Sequence, residues 1–130
     1  MKKELELELV RKYPNLYVDY YASHRKSNMA FGFDGIGNGW YDIIDILSSK
    51  LETMILELPE EQRQNYRASQ VKSKFASLRM YLTGGTPDMF AAIDEAEELS
   101  SKTCENCGKP GTIGGTGWVR CECDVCRMLK

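Results

Sequence analysis

Residues 3–13, KELELELVRKY, carry two superimposed patterns. Leucine and glutamate alternate as on a half-buried strand, while Leu5, Leu9 and Tyr13 recur every four residues as on a helix. Both residue types favour helix and Pro14 supplies a stop, so a helix is expected. Residues 15–39 are richer in aromatics and turn formers. A short strand is expected at Phe31-Gly32-Phe33, then a loop over Asp34, Gly35, Gly37, Asn38 and Gly39. The strongest signal follows. Trp40, Ile43, Ile44, Leu47, Leu51, Met54, Ile55 and Leu58 keep to the i, i+3, i+4, i+7 rule of a helix with one buried face. Pro59 ends that helix and suits the first position of a short second one running through Ala68.

Residues 75–83, FASLRMYLT, predict a strand. Ala76, Leu78, Met80 and Leu82 alternate with Phe75, Ser77, Arg79 and Tyr81. Gly84-Gly85 breaks it. Thr86, Pro87 and Asp88 then have the chemistry of an N-cap, a first-position proline and a first-turn acid. Met89, Ile93, Ala96 and Leu99 give this last long helix its apolar stripe, as far as about Ser101. The expected fold class is α+β: a body over residues 1–101, and a small C-terminal zinc-ribbon module over 102–130.

That module holds all five cysteines of the chain. Cys104 and Cys107 form one C-x-x-C pair, Cys123 and Cys126 another, and 15 residues separate the pairs, as in a zinc site. Two intervening residues let both sulfurs of a tight turn face one ion, and Gly108 can take the left-handed conformation such a turn needs. Backbone N–H groups in the turn can bond to the thiolates and offset their charge. Between the pairs, Pro110-Gly111 and Gly114-Gly115 mark turns, and Gly117-Trp118-Val119 is expected to form the return strand of a hairpin. Cys121 makes a C-x-C with Cys123, which suits two matched knuckles less well; the rival ligand set is Cys104, Cys107, Cys121 and Cys126. Four thiolates saturate Zn²⁺ and leave no position for water, so the expected cofactor is a structural zinc. Trp118 is the expected exposed anchor of the module, unless it packs on the knuckle or the body.

Composition adds bounds. With 42% hydrophobic and 28% charged residues, the chain suits a folded domain rather than a disordered one. No apolar run approaches the roughly 20 residues of a bilayer span. MKKELELELV lacks the apolar core of a secretory signal. A reducing cytoplasm is therefore expected, where clustered cysteines bind metal more often than they form disulfides. The net charge of −2 names no partner. Its distribution is more telling: Gln62 to Pro87 holds no acid, but Arg63, Arg67, Lys72, Lys74 and Arg79. Those five residues are candidate contacts for a partner, nucleic acid among them. From Asp88 to Glu105 the sign reverses, so the two blocks can equally be solvated faces.

Catalytic signals are weak. His24, the lone histidine, sits in a polar stretch. Asp42 and Asp45, with Asp34 upstream, have a spacing compatible with Mg²⁺, but acids near a helix start also favour the helix dipole. The loop FDGIGNGW lacks the lysine of a phosphate-binding loop, so a turn leading into the helix is expected. No enzyme is expected.

Three stretches together suggest kinship. FGF followed by a glycine turn and GWYDII, then QVKSKFASLRMYLTGG, then CENCGKPG with a terminal C-x-x-C, resemble a family of small uncharacterised proteins of tailed phages and prophages. The likeness runs from about Asn28 onward; this chain departs from the family at Gly35 and Ala76-Ser77, where relatives often carry Cys or Gly. The resemblance aligns the last metal pair with Cys123-Asp124-Val125-Cys126 and leaves Cys121 outside. It implies only a phage-encoded accessory protein acting inside a bacterium. The expected function, resting on the closed zinc site and the weak catalytic signals, is a non-catalytic protein that binds and modulates a host or phage macromolecule, such as a component of antiviral defence. The alternatives are a nucleic-acid-binding zinc protein using residues 63–79 and a binder of small signalling nucleotides. Surface aromatics for a protein partner would come from Tyr17, Tyr20, Tyr21, Trp40, Tyr41 and Trp118, unless most of these are core residues.

Overall fold

The computed structural model describes residues 1–20, 33, 35–115 and 119–129. Helix α1 (Lys3–Lys12) forms where Leu5, Leu9 and Tyr13 repeat, with Glu4 and Glu6 in its first turn and Arg11 and Lys12 in its last. Those charges oppose the helix dipole at both ends. A 3₁₀ turn (Asn38–Trp40) leads into α2 (Tyr41–Leu56), the central helix, against which α1 packs. After α2 come a single turn, α3 (Glu60–Arg63), and a hairpin of β1 (Arg67–Lys74) with β2 (Ser77–Thr83). Helix α4 (Pro87–Ser100) then packs on both α2 and β2. The C-terminal part pairs β3 (Thr112–Gly114) with β4 (Arg120–Glu122) and ends in α5 (Asp124–Met128). Among the described residues no helix is long and apolar enough to cross a membrane.

The apolar face of α2 is buried as its period demands, together with the Trp40 that precedes it: Trp40, Ile44, Leu47, Leu51 and Ile55 are at most 2% exposed. They meet Leu9, Val10, Leu16, Tyr17, Phe33, Ile36, Leu78 and Met89 in one core. Three polar residues of the same helix, Asp45, Ser48 and Glu52, lie at i, i+3 and i+7. The Tyr13 hydroxyl donates to Asp45 at 2.6 Å, and Lys12 pairs with the same carboxylate at 2.7 Å. Tyr17 and Ser48 share a hydrogen bond of 2.6 Å. Glu52 accepts from the Leu16 N–H and the Asn15 side chain, both at 2.8 Å. This stripe fastens residues 13–17 to α2, and the Leu16 carbonyl then receives the Ala68 N–H at 2.8 Å. A second buried carboxylate, Glu6, accepts from Lys3 and Tyr20 at 2.8 Å and from the Phe33 N–H at 2.9 Å.

Several expectations need correction. The helix after Pro59 stops at Arg63 rather than reaching Ala68. Arg63 folds back on the Leu58 and Leu56 carbonyls at the end of α2, and the chain from Arg67 pairs as a strand. The strand expected over 75–83 begins at Ser77, because Phe75 and Ala76 form the two-residue turn of the hairpin. On α4, Leu99 is half exposed and Ser100 takes the buried position. There its hydroxyl accepts the Leu78 N–H at 2.8 Å, satisfying a donor on the open edge of β2. The cap of α4 is as expected: Thr86 Oγ1 accepts the Met89 N–H at 3.3 Å, with Pro87 in first position. Tyr17, Tyr20 and Trp40 are core residues rather than surface aromatics, and Tyr41 is half-buried. Tyr21, His24, Phe31, Gly32, Asp34 and Trp118 lie outside the described residues, as do Gly117 and the strand expected at 31–33 apart from Phe33.

Candidate metal centre

The first knuckle follows α4 directly. The Cys104 N–H donates to the Lys109 carbonyl at 2.7 Å, and the Gly108 N–H closes the turn on the Cys104 carbonyl at 2.9 Å. Gly108 has φ +82°, where a side chain would be strained. The second knuckle lies between β4 and α5. Cys123 is the N-cap of α5, and its sulfur accepts the Cys126 N–H at 3.4 Å. The return strand β4 starts at Arg120, one residue beyond the expected Gly117-Trp118-Val119. It places Cys123 immediately after its last residue.

The four sulfurs of Cys104, Cys107, Cys123 and Cys126 lie within 4.8 Å of one another, and those of Cys107 and Cys123 are 3.6 Å apart. A tetrahedral ion with Zn–S bonds of about 2.3 Å sets its sulfurs roughly 3.8 Å apart. The cluster is therefore sized for one mononuclear ion. Cys121, the fifth cysteine, is turned away. It is fully buried in the core, and its thiol donates to the Ser101 carbonyl at 3.3 Å. The choice between Cys121 and Cys123 thus falls on Cys123.

The thiols are tuned unequally. Burial opposes ionisation of Cys104, but backbone N–H groups of Cys123, Cys107 and Asn106 outweigh it and hold the thiol down at about 6. Cys126 is pushed up to about 12, first by its hydrogen bond with the Cys123 sulfur and then by desolvation. At Cys107 the Lys109 N–H favours the thiolate, yet desolvation and the neighbouring thiols carry the value upward. A divalent cation bound by the four sulfurs would displace whatever protons they carry. Burial raises Cys121.

The centre is joined to the body through the glycine loop. The Gly39 N–H donates to the Glu105 carbonyl at 2.8 Å, and the Trp40 indole donates to the Thr103 carbonyl at 2.9 Å. A Cβ on Gly39 would lie 2.2 Å from the Cys104 carbonyl oxygen, and one on Gly37 would lie 2.1 Å from that of Glu105. The glycines preceding Trp40 therefore admit the knuckle's backbone rather than a phosphate. Beneath the knuckles, Glu105 and Glu122 are buried; Arg120 approaches Glu105 at 3.5 Å and Asn106 donates to Glu122 at 2.8 Å. Neither acid was singled out by spacing or period. The one available signal was that each sits next to a cysteine.

The other candidates are dispersed. Asp45 is committed to Lys12 and Tyr13, and Asp42 is exposed, so these two do not form a cation site. Of the five basic residues, Arg63 is spent on the end of α2. Arg67 pairs with Asp19 and Arg79 with Glu97, each at 2.8 Å. Lys72 and Lys74 stand on the hairpin with no carboxylate partner among the described residues. Comparison with protein-family models, with curated proteins and with solved structures finds no match.

Proposed function

We propose that this is a non-catalytic zinc protein in which the metal fastens the C-terminal module to the body, and which acts by binding a macromolecule. The observation that carries the reading is the set of four converging sulfurs with the fifth turned into the core. Cys104, Cys107, Cys123 and Cys126 would hold the ion. Zinc so bound supplies charge neutralisation and cross-linking, and its coordination shell is complete without water. The gain would be structural: β3, β4 and α5 are three, three and five residues long, too short to persist without a clip. A thiolate set of this kind requires a reducing compartment such as the cytoplasm. The function expected from the sequence, modulation of a host or phage macromolecule, is of the same class.

Elemental analysis of freshly purified full-length protein tests the metal. One zinc per chain is expected, and Co²⁺ exchange should give the intense visible bands of a tetrahedral tetrathiolate. A metal-free protein, stoichiometric iron, or a Co²⁺ spectrum showing coordinated water would overturn it.

A further inference from the structure

The β1–β2 hairpin has an outward face that its own stability does not account for. Val71, Leu78 and Met80 point inward, while Gln70 pairs with Tyr81 and Lys72 with Arg79 on the other side. Two cations directly opposite one another repel. Arg79 escapes by pairing with Glu97 on α4, and Lys72 remains, its ammonium 5.5 Å from the centre of the Tyr81 ring. At the tip, Phe75 and Ala76 have φ of 53° and 65°. Such a turn normally carries Asn-Gly, because both positions are left-handed. Here its first position holds a phenylalanine that is 73% exposed, with the Lys74 ammonium 5.7 Å from its ring centre. A strained backbone that displays a large aromatic to water is a cost better explained by a ligand than by folding.

We propose that this face binds single-stranded nucleic acid, with Tyr81 and Phe75 stacking on bases and Lys72 and Lys74 meeting phosphates. The inference rests on the binding-protein reading above but not on the zinc. Charge complementarity points to a polyanion, since residues 62–87 contain no acid and these two lysines lack internal carboxylate partners among the described residues. Lys72 and Lys74 are two residues apart on one strand face, about 6.6 Å along the chain, so they can follow an extended backbone. The aromatics select the single strand, because paired bases offer no free ring face for stacking. An acidic peptide would satisfy the lysines and leave both rings unused.

The test is fluorescence anisotropy with labelled oligo(dT) and oligo(U), against a duplex and poly-glutamate, using the full zinc-loaded chain. Saturable binding to single strands at low salt is expected. With two phosphate contacts, log K against log salt should have a slope of about −1.4. Phe75→Ala and Tyr81→Ala should each weaken binding on the order of 10-fold, and the double variant K72E/K74E should flatten the salt dependence. All four sites are on the surface of the hairpin, so melting curves and zinc content should stay near wild type, which separates lost binding from lost fold. No binding at low salt, equal or tighter binding of duplex or poly-glutamate, or indifference to these substitutions would overturn the proposal. A protein partner captured without nucleic acid would also overturn it, while leaving the binding-protein reading in place.

Discussion

Substituting Gly39 by alanine asks whether the metal module is seated on the body through the glycine loop. The new Cβ would meet three backbone atoms: the Cys104 carbonyl oxygen at 2.2 Å, the Gly108 nitrogen at 2.6 Å and the Glu105 carbonyl carbon at 2.7 Å. None belongs to a side chain that could swing aside. Relief needs a shift on the order of 1 Å, enough to stretch the 2.8 Å bond from Gly39 to Glu105 beyond hydrogen-bond length. The Trp40 indole, bonded at 2.9 Å to Thr103, sits on the same junction and its side chain is fully buried. Two weakened bonds with partly orphaned donors cost about 2–5 kcal/mol. For a chain of this size that lowers the melting temperature by roughly 8–20 °C. Gly35→Ala is the matched control. Its Cβ meets nothing within 4 Å, but its φ is +80°, so only backbone strain of about 1 kcal/mol is incurred. Calorimetric melts of both variants, with zinc content measured in parallel, should show the larger loss at Gly39. If Gly39→Ala melts with wild type, or if Gly35→Ala is the more damaging, the knuckle does not rest on this loop.

Cys123→Ser should abolish stoichiometric zinc, whereas Cys121→Ala should retain one zinc per chain and lose about 1–2 kcal/mol from the core; elemental analysis and denaturant unfolding read the two effects. Glu6 titrates below its ordinary 4.5 in the folded chain, because Lys3, the Phe33 N–H and Tyr20 together overcome a burial that would raise it. Its contribution to stability is therefore full above about pH 4.5 and is lost as pH falls through the depressed folded value. Urea midpoints between about pH 6 and pH 3 should accordingly fall more steeply for wild type than for Glu6→Gln. Phe75→Asn keeps a residue that tolerates the left-handed turn and removes the exposed ring, so it should raise stability by about 0.5–1 kcal/mol while weakening oligonucleotide binding; paired melts and anisotropy titrations check both.

The four cysteines of the candidate metal centre were legible because their chemistry is local. Two C-x-x-C turns carry their meaning within a few residues, and the long helices α2 and α4 likewise announce themselves through an unbroken period and a cap. β1 was illegible for a geometrical reason. Its two buried apolar residues, Ala68 and Val71, are three apart, which places them on opposite faces of a regular strand. The register slips between Ala68 and Gln70, so that Ser69 bulges out and its hydroxyl donates to the Tyr81 carbonyl at 3.1 Å. One extra residue restores the inward direction of Val71 and erases the alternation that would have marked the strand. The hairpin turn hid in the same way, since Phe75-Ala76 is not the residue pair that a left-handed turn selects.

The polar stripe Asp45, Ser48 and Glu52 illustrates a different limit. Residues at i, i+3 and i+7 of a helix share a face, and when they are polar the ordinary expectation is that the face meets water. Here each side chain serves the end of α1 or the segment after it: Asp45 holds Lys12 and Tyr13, Ser48 holds Tyr17, and Glu52 holds the N–H of Leu16. A non-repetitive segment over 13–17 has backbone donors that no ladder satisfies, so the helix beside it must supply acceptors. Glycine followed a parallel logic at the metal end. Gly37 and Gly39 were legible as a turn leading into a helix, but their close backbone approach to Cys104 and Glu105 is a contact across more than sixty positions of sequence. The clip and its seat are thus fixed by different kinds of information, one readable from spacing and the other only from packing. For that reason the glycine substitution, which leaves all four clustered cysteines in place, is the sharper probe of how the module is held.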